Sequence, residues 1–206
     1  FAPLAVELKE HFTGCGPLNV QYRCNAGSLP ADHWISDPSE GGRIIGEACH
    51  FLDFFTFLTG AEPVTVFAAA PSVESIDDAV ITVTYADGSV CQLVYSSTGP
   101  SSYSKERVEV FAGGMAGVLT DFRTLEIHSD SERFKPRKSM QADKGHSREL
   151  AAFVDAIQCG EQSPISTESL FDTTLVSFAV LESIQQGMPI SIAQMRESVV
   201  SSSGDD

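Results

Sequence analysis

The chain is 206 residues long, 42% hydrophobic and 20% charged, which is ordinary for a globular protein and enough for one domain with a substantial core. Its 13 Lys and Arg against 28 Asp and Glu leave a formal charge of −15, excluding partners that need a basic surface, nucleic acid and anionic membranes among them. The 5 cysteines are scattered with no C-x-x-C pair, so reduced thiols in a cytoplasmic protein are expected, with neither a disulfide framework nor a metal site. No apolar run approaches the roughly 18 residues of a membrane span, and no secretory signal opens the chain.

In chain order, "PLAVELKEHF" (Pro3–Phe12) spaces Leu4, Leu8 and Phe12 four apart and predicts a short amphipathic helix with Pro near its start. "LNVQYRCN" (Leu18–Asn25) reads as a strand, and "AGSLPADHWISDPSEGG" as a loop. "GGRIIGEACHFLDFFTFLTG" (Gly41–Gly60) predicts a helix of about five turns. Beyond Gly60, "VTVFAAA", "DAVITVTYADGSVCQLVYSS", "KERVEVFAG" and "AGVLTDFRTLEIHS" alternate with period two and are rich in β-branched residues, with Asp87-Gly88 at the centre of a hairpin. Residues 130–145 form a polar connector. Two helices follow, His146–Gly160 and Thr167–Gly187, each ending at a glycine. This order predicts an α+β domain: an open, mainly antiparallel sheet with helices packed on one face.

"GCGPLN" (Gly14–Asn19) opens like a dinucleotide fingerprint, but it ends in Asn19, carries Pro17 and precedes a strand where the fingerprint follows one. No cofactor site is expected within this chain. The long helix is the better candidate for function. At about 100° per residue, Arg43, Glu47, His50 and Asp53 share an arc of roughly 120°, and Phe54 and Phe57 continue that arc one turn further on. A stripe polar at one end and aromatic at the other suits the wall of a pocket better than a solvated face. A histidine with carboxylates a turn away on either side is equipped for acid–base work near neutral pH. Tyr22, Arg23, Asn25, His33 and Trp34, from the preceding strand and loop, suit a sugar-like ligand through hydrogen bonds and stacking. His146, at the start of the fourth helix, is a weaker candidate.

These residues carry a resemblance. The Gly41–Gly60 stretch is similar to the GG…H…D…G helix of the Gfo/Idh/MocA oxidoreductases, relatives of glucose–fructose oxidoreductase and inositol dehydrogenase. "YRCNAGSLPADHW", "KERVEVFAGG", "DFRTLEI" and "KGHSRELAAFVDAIQCGEQSPIS" resemble the branch associated with zinc-type alcohol dehydrogenase-like domains. The resemblance runs over roughly residues 1–195. It implies a substrate and dimerisation domain, of the kind found at the C-terminus of glyceraldehyde-3-phosphate dehydrogenase, over residues 1–195, and a disordered tail over 196–206. It further implies that the N-terminal Rossmann domain, which binds NAD or NADP in such proteins, is absent from this chain, and that the sheet face forms a homodimer. His50 matches the family's catalytic histidine and Asp53 the acid three residues on. Tyr22, Arg23, Asn25, His33, Trp34, Arg43, Glu47 and His146 are the expected substrate-binding set. The sequence departs from the pattern at Gly46, where many members carry Asp.

The function implied is the substrate-binding half of an NAD(P)-dependent oxidoreductase acting on a hydroxyl of a sugar, sugar nucleotide or cyclitol. The alternative is a non-catalytic sugar-binding or dimerisation module of the same fold. A metal-dependent hydrolase using His33, Glu47, Cys49 and His50 ranks last, because Cys49 and His50 are sequential and point about 100° apart on a helix.

Overall fold

The computed structural model describes residues 1–30, 32–36, 40–72 and 78–202. Helix α1 (Pro3–Phe12) leads into strand β1 (Asn19–Asn25). A 3-10 turn (Trp34–Ser36) and a π-helical segment (Ile44–Ala48) precede α2 (Cys49–Thr59). Seven strands follow: β2 (Pro63–Ala69), β3 (Ala79–Tyr85), β4 (Val90–Ser96), β5 (Glu106–Ala112), β6 (Met115–Thr120), β7 (Thr124–Ser129) and β8 (Arg137–Lys138). Helices α3 (His146–Cys159) and α4 (Thr167–Gln186), the short strand β9 (Ile190–Ser191) and α5 (Ile192–Ser202) complete the described chain.

The strands form one sheet in the order β8-β7-β6-β5-β1-β4-β3-β2-β9. Every pairing is antiparallel except β1 with β4, so the sheet is mainly antiparallel and the domain α+β, as the element order predicts. Helix α1 crosses β6 at Gly117, where a Cβ would lie 2.6 Å from Leu8 Cδ1 and 2.7 Å from a Phe12 ring carbon. Helices α2 and α4 lie side by side on the same face, burying Phe51, Leu52 and Phe55 of α2 and Leu175, Val176, Ala179 and Val180 of α4. Residues alternate inward and outward along each strand, and Val20, Ile81, Val83, Leu93, Val108, Val110 and Leu119 point into this single core.

Three segments differ from the sequence reading. The long helix is π-helical over Ile44–Ala48: the Cys49 N–H reaches the Ile44 carbonyl five residues back. There Ile35 packs onto Gly46, where a Cβ would come within 2.7 Å of its Cδ1, so Gly46 serves the docking of the preceding 3-10 turn. The run Ala116–Ser129 is two strands broken by a tight turn at Asp121 and Phe122. The segment from residue 196, expected as tail, continues α5 to Ser202, because Arg196 ion-pairs with the buried Asp172 of α4; residues 203–206 lie outside the described residues. Among the described residues no helix is long and apolar enough to cross a membrane.

The opposite sheet face carries no helix. Its side chains fall into cross-strand rows, one of which runs Phe67, Thr82, Gln92, Gln21, Glu109, Val118 and Glu126. Phe67, Val80, Val90, Val94 and Phe111 are exposed on it.

The β2 edge is finished in an unusual way. Strand β9 pairs only with Thr65 and Val66, and beyond it the Ser183 hydroxyl of α4 takes over. Ser183 Oγ accepts the Ala68 N–H at 2.9 Å and donates to the Met188 carbonyl at 2.7 Å, with no exposure. Ser183→Ala orphans two main-chain groups at once, so urea unfolding should show a loss of about 2–6 kcal/mol, at roughly 1–3 for each group left unpaired. A loss no larger than that of a surface Ser→Ala would contradict this account.

Candidate active site

The helix-covered side of the sheet holds a cavity of about 960 Å³. Its floor is aromatic. Tyr22, inward on β1, packs against Phe51 at 4.8 Å and Phe54 at 5.6 Å between ring centroids, and Phe54 meets Phe122 edge-on at 6.1 Å. One wall comes from the helix: Glu47 on the π segment, then His50, Asp53 and Phe57 on α2. The facing wall comes from Lys105 and Glu106 at the start of β5, Lys144 in the connector, and His146 and Glu149 in the first turn of α3. Residues 163–166 and Ser169 also line it, as do Phe1, Ala2, Ala5 and Val6 and, on α2, Thr56.

Charges in this wall are matched in pairs. Glu47 accepts the Tyr95 hydroxyl at 2.5 Å through one carboxylate oxygen and the Lys105 ammonium at 3.0 Å through the other. Burial would raise its pKa, but these donors, with the charges of Lys105 and Arg43, outweigh it and hold Glu47 below its ordinary value. Burial pushes the Tyr95 hydroxyl up, and the Glu47 hydrogen bond and charge push it further, so it remains a donor. Desolvation lowers the Lys105 pKa, but the Glu47 carboxylate more than restores it and keeps the ammonium charged. Lys144 pairs in the same way with Glu106 at 2.8 Å, and Glu106 is a buried carboxylate.

A strained turn fixes the second pair. Asp121 and Phe122, central in the turn that the Arg123 N–H closes on the Thr120 carbonyl at 2.9 Å, have φ of 50° and 52°, left-handed values that rarely admit an aromatic residue. Strain of order 1–3 kcal/mol is usual for such a residue. Here it is offset by ties to β5: the Asp121 carboxylate accepts the Glu106 N–H at 2.8 Å, and the Asp121 N–H donates to the Glu106 carbonyl at 2.9 Å. The turn delivers the Phe122 ring to the cavity, 5.4 Å from the Lys144 ammonium.

Among the described residues Asp53 has no Lys or Arg matched to it in this way. His50 is exposed at the cavity, and among the described residues no hydrogen bond joins its imidazole to a carboxylate. Among the described residues Asp53 accepts the Thr173 hydroxyl, at 3.3 Å; burial raises its pKa, while that hydrogen bond and the nearby His50 offset part of the effect.

The structure therefore brings Tyr22, Glu47, His50, Asp53 and His146 of the expected set into one cavity, and places the others elsewhere. Arg23 alternates with Tyr22 and Cys24 along β1, so it leaves from the opposite face, where it donates to the Ser104 carbonyl at 2.6 Å and stacks on Tyr103. Asn25 is buried, holding the Pro100 carbonyl at 2.9 Å. His33 accepts the Ile35 N–H within its own turn, and Trp34 is 58% exposed beside it. Arg43, only 3% exposed, turns inward and gives both terminal nitrogens to the Gly27 carbonyl at 2.9 Å. The wide π turn is the reason: a wheel at 100° per residue does not hold across Ile44–Ala48. Lys105, Glu106, Phe122, Lys144 and Glu149 were not in the expected set. Glu106 had a signal, because it alternates in phase with the inward Val108 and Val110; Lys144, in a polar connector, had none.

A second, shallower cavity of about 640 Å³, between Met115, Ile127, His128 and Phe134 at the β6–β7 edge, shares no residue with the first. Among the described residues no group of three or more His, Cys, Asp or Glu side chains is arranged to hold a metal ion.

The fold is that of an oxidoreductase C-terminal domain. The family model for the GFO/IDH/MocA C-terminal domain matches residues 17–120, just over half of the sequence, and the chain belongs to that family. No curated protein matches the sequence. Among solved structures, an oxidoreductase domain protein from Kribbella flavida superposes with a TM-score of 0.75 at 16% identity, over 93% of this chain and 63% of that one. An oxidoreductase from Agrobacterium radiobacter in complex with NAD+, L-tartaric acid and magnesium gives 0.68 at 16% identity, over 94% and 63%. UDP-N-acetylglucosamine 3-dehydrogenase from Acidithiobacillus ferrooxidans gives 0.70 at 21% identity, over 88% and 58%. At these identities the likeness is one of fold, and this chain spans about three fifths of the length of each structure.

A carboxyl held below its ordinary 4.5 stabilises the fold above that value, and the contribution is lost as pH falls through the folded-state midpoint. Tyr95→Phe removes one donor, so the Glu47 midpoint moves up and the acid limb of the stability curve flattens. Carbon-13 titration of Glu47, with urea unfolding between about pH 3 and 7, checks both effects. An unmoved midpoint would contradict the assignment.

Proposed function

We propose that this chain is the substrate-binding and oligomerisation half of an NAD(P)-dependent oxidoreductase acting on a hydroxyl of a sugar, sugar nucleotide or cyclitol. The observation that carries the reading is His50 at a mixed polar and aromatic cavity in a chain of this family. Gly14 and Gly16, in the stretch that opens like a dinucleotide fingerprint, sit in a turn ahead of β1, where no helix N-terminus follows to receive a pyrophosphate, which supports placing the cofactor elsewhere. The cofactor, which would take the hydride from carbon, thus belongs to a further, dinucleotide-binding domain. This chain's part is the proton. In oxidation of a secondary alcohol the imidazole of His50 takes the hydroxyl proton, and in the reverse direction returns it. Asp53, one turn on, favours the protonated imidazole that results. Lys105 and Lys144, each held by its glutamate, present ammonium donors to substrate oxygens, and the Phe54–Phe122 surface covers the apolar face of a ring.

A second reading, a sugar-binding module without catalysis, is favoured by one feature. Gly46 supplies no acid to His50, and Glu47 is committed to Tyr95 and Lys105. Kinetics of the full gene product separate the two. With NAD or NADP and a panel of sugars, sugar nucleotides and cyclitols, turnover should appear, and His50→Gln should lower kcat by about 10²–10⁴ with a smaller change in KM. A panel without turnover, or His50→Gln with wild-type kcat, leaves the second reading.

The open sheet face supports an isologous dimer, since its apolar side chains are exposed in rows that a two-fold axis can match, and stable interfaces bury more than about 1,000 Å². Light scattering should show a dimer that Phe67→Lys with Val80→Lys converts to monomer. A wild-type monomer at high concentration would contradict it.

A further inference from the structure

Two oxygens on the helix-covered side of the sheet serve no purpose in the fold. Tyr22 sits between Val20 and Cys24 on β1 and is 2% exposed, its ring packed on Phe51 and Phe54. A phenylalanine would fill that place equally well. The chain puts a hydroxyl there, and among the described residues that hydroxyl takes part in no hydrogen bond. Glu106, 3% exposed, stands in phase with the inward Val108 and Val110, where an apolar residue would avoid the cost of burying a charge. Lys144 takes one of its carboxylate oxygens at 2.8 Å, and among the described residues the other has no donor. Among the described residues Asn25 Oδ1 is the one side-chain polar atom both sealed from solvent and unpartnered. The Tyr22 hydroxyl and the second Glu106 oxygen are therefore open, and both residues line the large cavity.

We infer that Tyr22 and Glu106 form a subsite that reads a free hydroxyl of the substrate, one that is not oxidised, and so decides which polyols are accepted. The two residues are neighbours: Glu106 stands opposite Cys24 in the β1–β5 register, diagonally across from Tyr22 on the same face. Burial raises the Tyr22 pKa well above its ordinary value and the Glu106 charge raises it further, so the hydroxyl keeps its proton and donates. The free Glu106 oxygen can only accept. A substrate hydroxyl meets both needs, accepting from Tyr22 on its oxygen and giving its own hydrogen to Glu106. Other groups fail one condition. An ether oxygen has no hydrogen to give, a phosphate or carboxylate is repelled by Glu106, and an ammonium group is repelled by Lys144. The pair is also set before anything binds, since the Glu106 main chain is tied to Asp121 through both its N–H and its carbonyl, and two rings hold Tyr22. Glu106 belongs to the wall facing His50, so the hydroxyl read here differs from the one that gives up its proton. The inference rests on the oxidoreductase reading above and adds to it the substrate feature that the site discriminates.

The test is steady-state kinetics of the full gene product with NAD or NADP. Its substrates are the sugars, sugar nucleotides and cyclitols of the panel, with myo-inositol, D-glucose and UDP-N-acetylglucosamine among them. Monodeoxy and mono-O-methyl derivatives of whichever compound is oxidised complete the set. Glu106→Gln deprives Lys144 of its ion-pair partner and endangers the fold, so Tyr22→Phe carries the comparison. One monodeoxy derivative, and the O-methyl derivative at the same carbon, should lose at least about tenfold in kcat/KM with the wild type. Tyr22→Phe should lower kcat/KM on the parent substrate about 3–10-fold, mostly through KM, and cost nothing more on that monodeoxy derivative. Its melting temperature should equal that of the wild type, because among the described residues the hydroxyl bonds to nothing. Wild-type kinetics for Tyr22→Phe, an equal loss on every derivative, or a clearly lowered melting temperature would overturn the inference and leave the oxidoreductase reading standing. A panel without turnover would overturn that reading, and the subsite with it.

Discussion

A carboxylate carried into the junction between a helix and a sheet must be met there by donors, and the placement of Glu47 organises much of this domain. Tyr95, on a central strand, and Lys105, at the mouth of β5, meet it from two directions and pin the start of α2 over the middle of the sheet. Arg43, four residues earlier, adds its charge and ties the same helix start to Gly27. With one end held by this network and the other by the left-handed Gly60, α2 has a fixed direction and a fixed rotation. His50 and Asp53 reach the cavity because of it. Exposed ion pairs contribute little to stability; this one, half-withdrawn from water, serves chiefly to hold geometry.

What the sequence displays and what it conceals divide along physical lines. Alternation of apolar residues marks the strands because it reports burial on one face, and Asp-Gly or a terminal glycine marks turns and helix ends because a positive φ is needed there. Those elements were legible. The turn at Asp121 and Phe122 was not, since nothing local predicts a phenylalanine in the left-handed region; its ties to Glu106 are tertiary. Neither was the inward course of Arg43, which depends on the π turn that accompanies the packing of Ile35 onto Gly46.

The two sides of the sheet have been given different work. One face is layered with α1, α2 and α4 and carries the cavity; the other is bare and mixed, with apolar side chains set in rows among polar ones. A protein organised in this way can associate with its own kind through one face while leaving the chemistry on the other free to open and close.

The pairing of β1 has a consequence for how the chain comes into being. This strand is central, yet both of its partners come much later in the sequence: the Leu18 N–H bonds to Ser89, 71 residues on, and β5 begins only at Glu106. Contacts of such separation slow folding, because a long loop must close before they form. At about 5–20 residues per second, a ribosome leaves β1 without its partners for on the order of ten seconds. Val20, Tyr22 and Cys24, all buried in the finished domain, gain their strand partners only after that interval. The strand at the heart of the sheet is thus the first of the sheet's strands to be made and among the last to be satisfied.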